Sequence, residues 1–186
     1  MINKIDLVAC INSKSYGIGY KGNLLYNIKE DLRYFKDITT SKGIKDSDSI
    51  EDVVIMGRKT WQSLPEKSKP LKGRVNVILT SDLDFQIPDS DNIVVINSLE
   101  TAIALFDNVE ETKFNIHIIG GGNVYREAIE KGIPEFLYLT EVEDGDCKHC
   151  DTYFPKFLDK YVEIEDEGKR DNGTYSYTFK TYARKV

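Results

Sequence analysis

Cysteine and histidine are scarce in this chain, an excess of cations is missing, and so is any long apolar run. Each absence removes a class of protein. Only 3 cysteines occur, Cys10, Cys147 and Cys150, too few for a disulfide framework, and a reducing cytosol suits them. With 2 histidines and no GxSxG elbow, a serine or cysteine triad has little support. His117 sits in a strand-like run and reads as a packed residue rather than a ligand. Lysine and arginine number 25 against 31 acids, a net charge of −6, which argues against a general nucleic-acid binder. No apolar stretch is long enough for a membrane span, and no small-residue cleavage site follows "MINKIDLVACI". A cytoplasmic protein without membrane or nucleic-acid partners is expected.

The "CKHC" segment is the one cluster of metal-ligating side chains. Zinc would need further ligands, and no second cluster supplies them. A redox CxxC opens a helix after a strand, whereas this pair lies in the polar stretch "EDGDCKHCDTYFP". It reads as an exposed loop with no metal.

What is present is the pattern of an α/β domain. A hydrophobic fraction of 40% suits a single soluble domain over residues 1–186. Apolar runs rich in β-branched residues predict strands at 5–11, 53–57, 75–80, 93–96, 114–119 and 136–141. Helical patterns fall at 28–38, 59–64, 98–107 and 123–131, the last stopping on Gly132 with Pro134 beyond. This alternation predicts a largely parallel sheet with helices on both faces. After residue 160, alternating residues flank Asn172-Gly173, so an antiparallel pair closes the sheet. Residues 40–52, "TSKGIKDSDSIED", are polar and aperiodic and read as a mobile surface loop.

One helix carries an anomaly. In "NIKEDLRYFKDIT", residues 27–39, Asn27 and Glu30 form a capping-box pattern. At about 100° per residue, Ile28, Leu32, Phe35, Ile38 and Thr39 share a face, and Asp31 falls within it. A buried carboxylate needs a partner. Arg33 and Lys36 are turned away, so that partner is not on the helix.

Two predicted strands run straight into glycine and then a helix. "VVIMGRKTWQSL" does so at Gly57, followed by Arg58, Lys59 and Thr60; "IHIIGGGNVYREAI" does so at Gly120, Gly121 and Gly122. Free amides at a helix start, with the helix dipole, bind anions, and glycine lets a phosphate approach the backbone. Two such turns in one parallel sheet suit a dinucleotide better than a single phosphate. The glycine run is not a G-x-G-x-x-G fingerprint, because Tyr125 stands where the third glycine belongs, and it is not a P-loop. Arg58 and Lys59 suit an extra phosphate, favouring NADPH over NADH.

The segments "LVA", "GIGYKGNLLYNIKEDLRYFKDIT", "VVIMGRKTWQSLPEKSKPLKGRVNVILTS", "IIGGGNVYREAI", "LYLTEVE" and "DTYFP" occur in the order and near the spacings of one family. Through them the chain resembles a dihydrofolate reductase over nearly its full length. The resemblance implies a single-domain α/β fold: an eight-stranded, mostly parallel sheet with an antiparallel C-terminal strand, flanked by about four helices. Residues of about 40–107 would form an adenosine-binding subregion within it.

The resemblance also implies a site. Asp31 falls on the single acid of the folate pocket, where the pterin ring N3 and 2-amino group offer two donors to one carboxylate. Thr140 matches the threonine that supports this acid. Leu32, Phe35, Leu64 and Leu71 line the slot for the flat rings, and Val8, Ala9, Ile119 and Tyr125 border it. Arg74 matches the arginine that clamps the substrate's glutamate carboxylate, which its planar fork fits. On the cofactor side, Ala9 with Gly17, Ile18, Gly19, Gly22, Asn23 and Leu24 match the first strand end and the mobile nicotinamide loop. Gly57, Arg58, Lys59 and Thr60 surround the pyrophosphate and 2′-phosphate, with Leu79, Thr80 and Ser81 helping to hold the latter. Gly120-Gly121 match a peptide that is cis in the family. Ile119, Gly122, Asn123, Val124 and Tyr125 complete the nicotinamide side.

Some positions depart from the family pattern. Leu25-Tyr26 replace Pro-Trp, leaving Tyr26 to stand for a tryptophan beside the substrate. Asn123 stands where some relatives place an arginine, and the segment from Ala9 to Gly17 is slightly long. The activity implied is reduction of 7,8-dihydrofolate to tetrahydrofolate with NADPH, by a monomer that antifolates inhibit. A reductase of a ribosylamino-pyrimidine and a catalytically silent folate-binding protein are the rival readings.

Overall fold

The β-branched runs become strands and the periodic runs become helices. In chain order the strands are β1 (Lys4–Asn12), β2 (Gly17–Tyr20), β3 (Asn23–Leu24), β4 (Ile50–Gly57), β5 (Val75–Leu79), β6 (Ile93–Ile96), β7 (Lys113–Ile118), β8 (Phe136–Glu143), β9 (Thr152–Tyr153), β10 (Tyr161–Asp171) and β11 (Ser176–Arg184). The helices are α1 (Lys29–Ile38), α2 (Arg58–Ser63), α3 (Leu99–Asp107) and α4 (Gly122–Glu130). The structure, a computed structural model, describes residues 3–40, 50–87, 90–109, 112–147 and 149–186.

Eight strands form one sheet in the order β10-β11-β8-β1-β7-β4-β5-β6. All its pairings are parallel except those of β11, which runs antiparallel to both neighbours. Its hairpin turns at Asn172-Gly173: the Asn172 side chain accepts the amides of Thr174 (3.0 Å) and Tyr175 (2.9 Å), and Gly173 takes a φ of 84°.

The near-continuous apolar runs are explained by burial on both faces. Within β4, Val53 and Ile55 enter one core and Val54 and Met56 the other. The first core joins the sheet to α3 and α4 through Leu99, Phe106, Val124 and Ile129. The second packs Trp61, Leu71 and Phe35 against the opposite face. Each fully buried aliphatic side chain contributes about 1.5–3 kcal/mol. His117, 5% exposed in β7, is a packed strand residue, and burial pushes its pKa down to about 4.

Three expectations need correction. Asn27 does not cap α1: Ile28 is the N-cap, without a side-chain bond, and its carbonyl accepts the Leu32 amide at 3.1 Å. The 40–52 loop is shorter than expected, because residues 50–52 already pair in β4 against β7; residues 41–49 lie outside the described residues. The cysteines of the CKHC segment are not free, because Cys147 and Cys150 form a disulfide, and Cys10 is the free one. Proximity within one tight turn, rather than a framework of long loops, makes that bond possible. A second sheet, β3-β2-β9, was also unforeseen; its strands, two to four residues long, are too short to show a period.

Candidate active site

Asp31 lies in the first turn of α1 and reaches across to β8, where the Thr140 hydroxyl donates to its Oδ1 at 2.6 Å. This is the partner that the helix itself lacks, and the helix N-terminus adds a favourable dipole. Burial pushes the carboxyl pKa up, with the Thr140 bond opposing it. No residue of α1 is fully buried, and its apolar stripe leaves Leu32 49% exposed and Phe35 half-buried. Cys10, paired in register with Thr140, borders the same spot, and burial together with the Asp31 charge raises its thiol pKa.

At one end of the Asp31 neighbourhood the two glycine turns meet. The Gly57 amide donates to the Gly120 carbonyl at 2.8 Å, and a Cβ on Gly121 would sit 3.1 Å from the Thr60 hydroxyl. The Gly120-Gly121 peptide is cis, and Gly120 has a φ of 120°. Tyr125 packs on that turn: a Cβ on Gly120 would come within 3.2–3.4 Å of its hydroxyl and ring, and its hydroxyl donates to the Val8 carbonyl at 2.7 Å. Tyr125 thereby joins β1, the Gly120 turn and the Asp31 neighbourhood. Ala9, within β1, and Ile119, just past the end of β7, are buried. The start of α4, with Gly122, Asn123 and Val124, has no side-chain cap, so its first-turn amides are available to an anion.

The outer cations are arranged beside this turn. Arg58 opens α2 and pairs with Asp82, its guanidinium 5.8 Å from the Phe85 ring. Lys59 and Thr60 follow on the same helix. Leu79 ends β5; Thr80 and Ser81 come next, and the Thr80 hydroxyl accepts the Asp82 amide at 3.1 Å.

At the other end, Arg74 is buried, with its Nη1 donating to the Thr39 hydroxyl at 2.7 Å and its guanidinium 5.7 Å from the Phe35 ring. Leu64 and Leu71 pack in the same cluster as Phe35. Asn76, wholly buried, was not singled out from the sequence. Its Oδ1 accepts the Leu71 amide at 2.9 Å, and its Nδ2 donates to the carbonyls of Leu71 (3.0 Å) and Arg74 (2.9 Å). This bracket fixes the turn that presents Arg74. An amide inside the apolar strand "VNVIL" was the available signal, since such a group must find backbone partners.

Tyr26 packs in a cluster with Ile28 and against Cys10. It is 6% exposed, its hydroxyl accepts from Asn12 Nδ2 at 2.9 Å, and its ring meets Tyr175 edge-on at 5.1 Å. Asn12 also gathers the amides of Lys14 and Ser15 and donates to the Gly145 carbonyl at 3.2 Å, anchoring the slightly long segment after β1. Gly17, Ile18 and Gly19 lie in β2, paired to Asn23 and Leu24 of β3 around Gly22 on one side and to β9 on the other. The Lys21 amide donates to Asp151 Oδ2 at 2.7 Å, a second contact that the sequence did not announce.

Comparison with known proteins agrees with this geometry. A dihydrofolate reductase family profile matches residues 4–184. A dihydrofolate reductase of Candida albicans is 34% identical over 193 aligned positions, covering 95% of this chain and 96% of the relative. One from Schistosoma mansoni is 38% identical, covering 87% of this chain and 84% of its own length. A bifunctional dihydrofolate reductase-thymidylate synthase of Arabidopsis thaliana is 38% identical over 150 residues, only 25% of that longer protein. With the match running from the first strand of the main sheet to its last, the chain belongs to the dihydrofolate reductase family.

Proposed function

We propose that this chain catalyses the NADPH-dependent reduction of 7,8-dihydrofolate to 5,6,7,8-tetrahydrofolate, supporting one-carbon metabolism and thymidylate and purine synthesis. The observation that carries the reading is the Asp31–Thr140 pair, 2.6 Å apart, with Tyr125 between its neighbourhood and the Gly120 turn. In this reading residues 1–186 act as a single domain and a monomer in the cytoplasm, residues of about 40–107 hold the adenosine end, and antifolates compete for the Asp31 slot.

The residues fit such a cofactor. Two adjoining strand-to-helix turns, neither closed by a side-chain cap, suit a pyrophosphate, and Arg58, linked to Thr80 through Asp82, would hold a 2′-phosphate together with Lys59 and Ser81. When bound, the reduced nicotinamide supplies the hydride that C6 of the pterin receives. The protein does the rest by placement. Asp31 accepts two hydrogen bonds from the amino-pyrimidine edge, and Thr140 holds the carboxylate in the orientation that edge requires. Because Asp31 grips the far side of the ring, the N5 proton comes through water rather than directly from the carboxyl. Leu32 and Phe35 cover the ring faces, and Arg74 receives the substrate's carboxylate.

A spectrophotometric assay tests the reading: purified protein with dihydrofolate should consume NADPH faster than NADH at equal concentration. Consumption with a ribosylamino-pyrimidine but not with dihydrofolate would replace it with the rival reductase activity.

A further inference from the structure

The connection from β8 to β9 carries the Cys147–Cys150 disulfide, and its far end holds β2 by several contacts. A Cβ built on Gly17 would overlap the Cys150 sulfur and meet the Cys150 Cβ at 3.0 Å, so the disulfide lies directly on the glycine. Asp151, the next residue, accepts the Lys21 amide at 2.7 Å and donates its own amide to the Gly19 carbonyl at 3.1 Å. The Tyr153 hydroxyl donates to the Cys150 carbonyl at 2.9 Å, and the His149 and Tyr20 rings lie 6.0 Å apart. Both cysteines are only partly buried, so a soluble thiol can reach them.

We propose that Cys147–Cys150 is a thiol–disulfide exchange site whose state fixes the position of residues 17–24 and thereby sets the rate of turnover. The second half rests on the reading above, in which that segment covers the nicotinamide. The reductant is a small thiol or a protein dithiol. Its thiolate attacks the Cys147 sulfur, the one not backed by Gly17; the S–S bond breaks, and Cys150 leaves with the electron pair and takes a proton from water. A second reductant thiol, as thiolate, attacks the reductant's sulfur in the mixed disulfide. Cys147 is released and takes another proton, so the chain gains two electrons and the reductant departs as its own disulfide. Once reduced, Cys150 can rotate off Gly17, and the loop that orients Asp151 loses its cross-link. The two bonds from Asp151 to Gly19 and Lys21 then hold a looser partner, and β2–β3 opens more often.

The test compares air-oxidised protein, dithiothreitol-reduced protein, and Cys147→Ser, which removes the disulfide while keeping the Cys150 thiol. Thiol titration assigns the states: the free Cys10 alone in the oxidised form, all three in the reduced form. Amide exchange over residues 17–24, measured without ligands, is expected to speed up about fivefold or more on reduction. Single-turnover NADPH oxidation with dihydrofolate is expected to slow about threefold or more. Cys147→Ser should match the reduced protein in both and ignore dithiothreitol. Equal exchange in the two states overturns the proposal, and so does altered exchange with equal turnover. Altered exchange with no turnover in either state leaves the mechanical coupling standing and sinks the catalytic reading instead.

Discussion

Thr140 and Asp31 meet at 2.6 Å although 109 residues separate them in the chain. The acid comes from the first turn of α1 and the hydroxyl from β8, so the pair exists only because the helix lies across that strand. Burial raises the Asp31 pKa, which has a direct consequence for stability. A carboxyl whose folded pKa is raised binds its proton more tightly in the folded state. Stability on that account is highest below the unfolded value and falls as pH rises towards the folded one. At neutral pH the ionised acid is a destabilising feature kept for function. Asp31→Asn should therefore cut turnover at pH 7 about 100-fold or more, with partial recovery in acid where substrate is already protonated. The same variant should melt about 2–4 °C higher, the shift that roughly 1 kcal/mol gives in a chain of this size. Equal losses of activity at every pH would falsify the assignment.

Asn76 acts on Arg74 through the backbone. Arg74→Lys removes the planar fork and is expected to raise KM for dihydrofolate about 10–100-fold, since a hydrogen bond to a charged group contributes about 1.5–3 kcal/mol. Asn76→Ala should move KM in the same direction, with kcat nearly unchanged, because it releases the turn at Leu71 and Arg74. If kcat falls while KM stays fixed, the bracket does not serve Arg74.

Gly120 takes a φ of 120° and lies under the Tyr125 ring. Gly120→Ala adds a strained backbone and a crowded methyl together, and should cost about 1–3 kcal/mol. Calorimetry should show the lower melting temperature, and NADPH affinity should fall more than dihydrofolate affinity. A variant with unchanged stability would mean that the turn relaxes freely.

His117 predicts an acid limb. Its folded pKa is held near 4, below the ordinary 6.5, mainly by burial, with Lys4 and Arg74 adding to the effect and Asp52 opposing it. The unfolded chain thus binds the proton first. Stability from this group is complete above about 6.5 and is lost as pH falls towards 4, amounting to about 3 kcal/mol at full extent. Urea midpoints between pH 7 and 4 should therefore decline less steeply in His117→Gln than in wild type. Parallel declines would place the acid sensitivity in other groups.

What the sequence determined by itself was local and periodic. The main-sheet strands and all four helices were legible because burial on both faces writes long β-branched runs and burial on one side writes a helical stripe. The glycine turns were legible because Gly57 and Gly120 follow strands and precede helices. Asp31 drew attention because a charge on an apolar stripe breaks the pattern. Tertiary structure alone decided what those residues meet. It brought Thr140 to Asp31, Asn76 to the turn before Arg74, Asp82 to Arg58, and the Cys150 sulfur to Gly17. It also formed the β3-β2-β9 sheet, whose strands of two to four residues carry no period. Periodicity records which side of an element is buried, whereas partners depend on how separate elements cross in space, and that is fixed only when the whole sheet has closed.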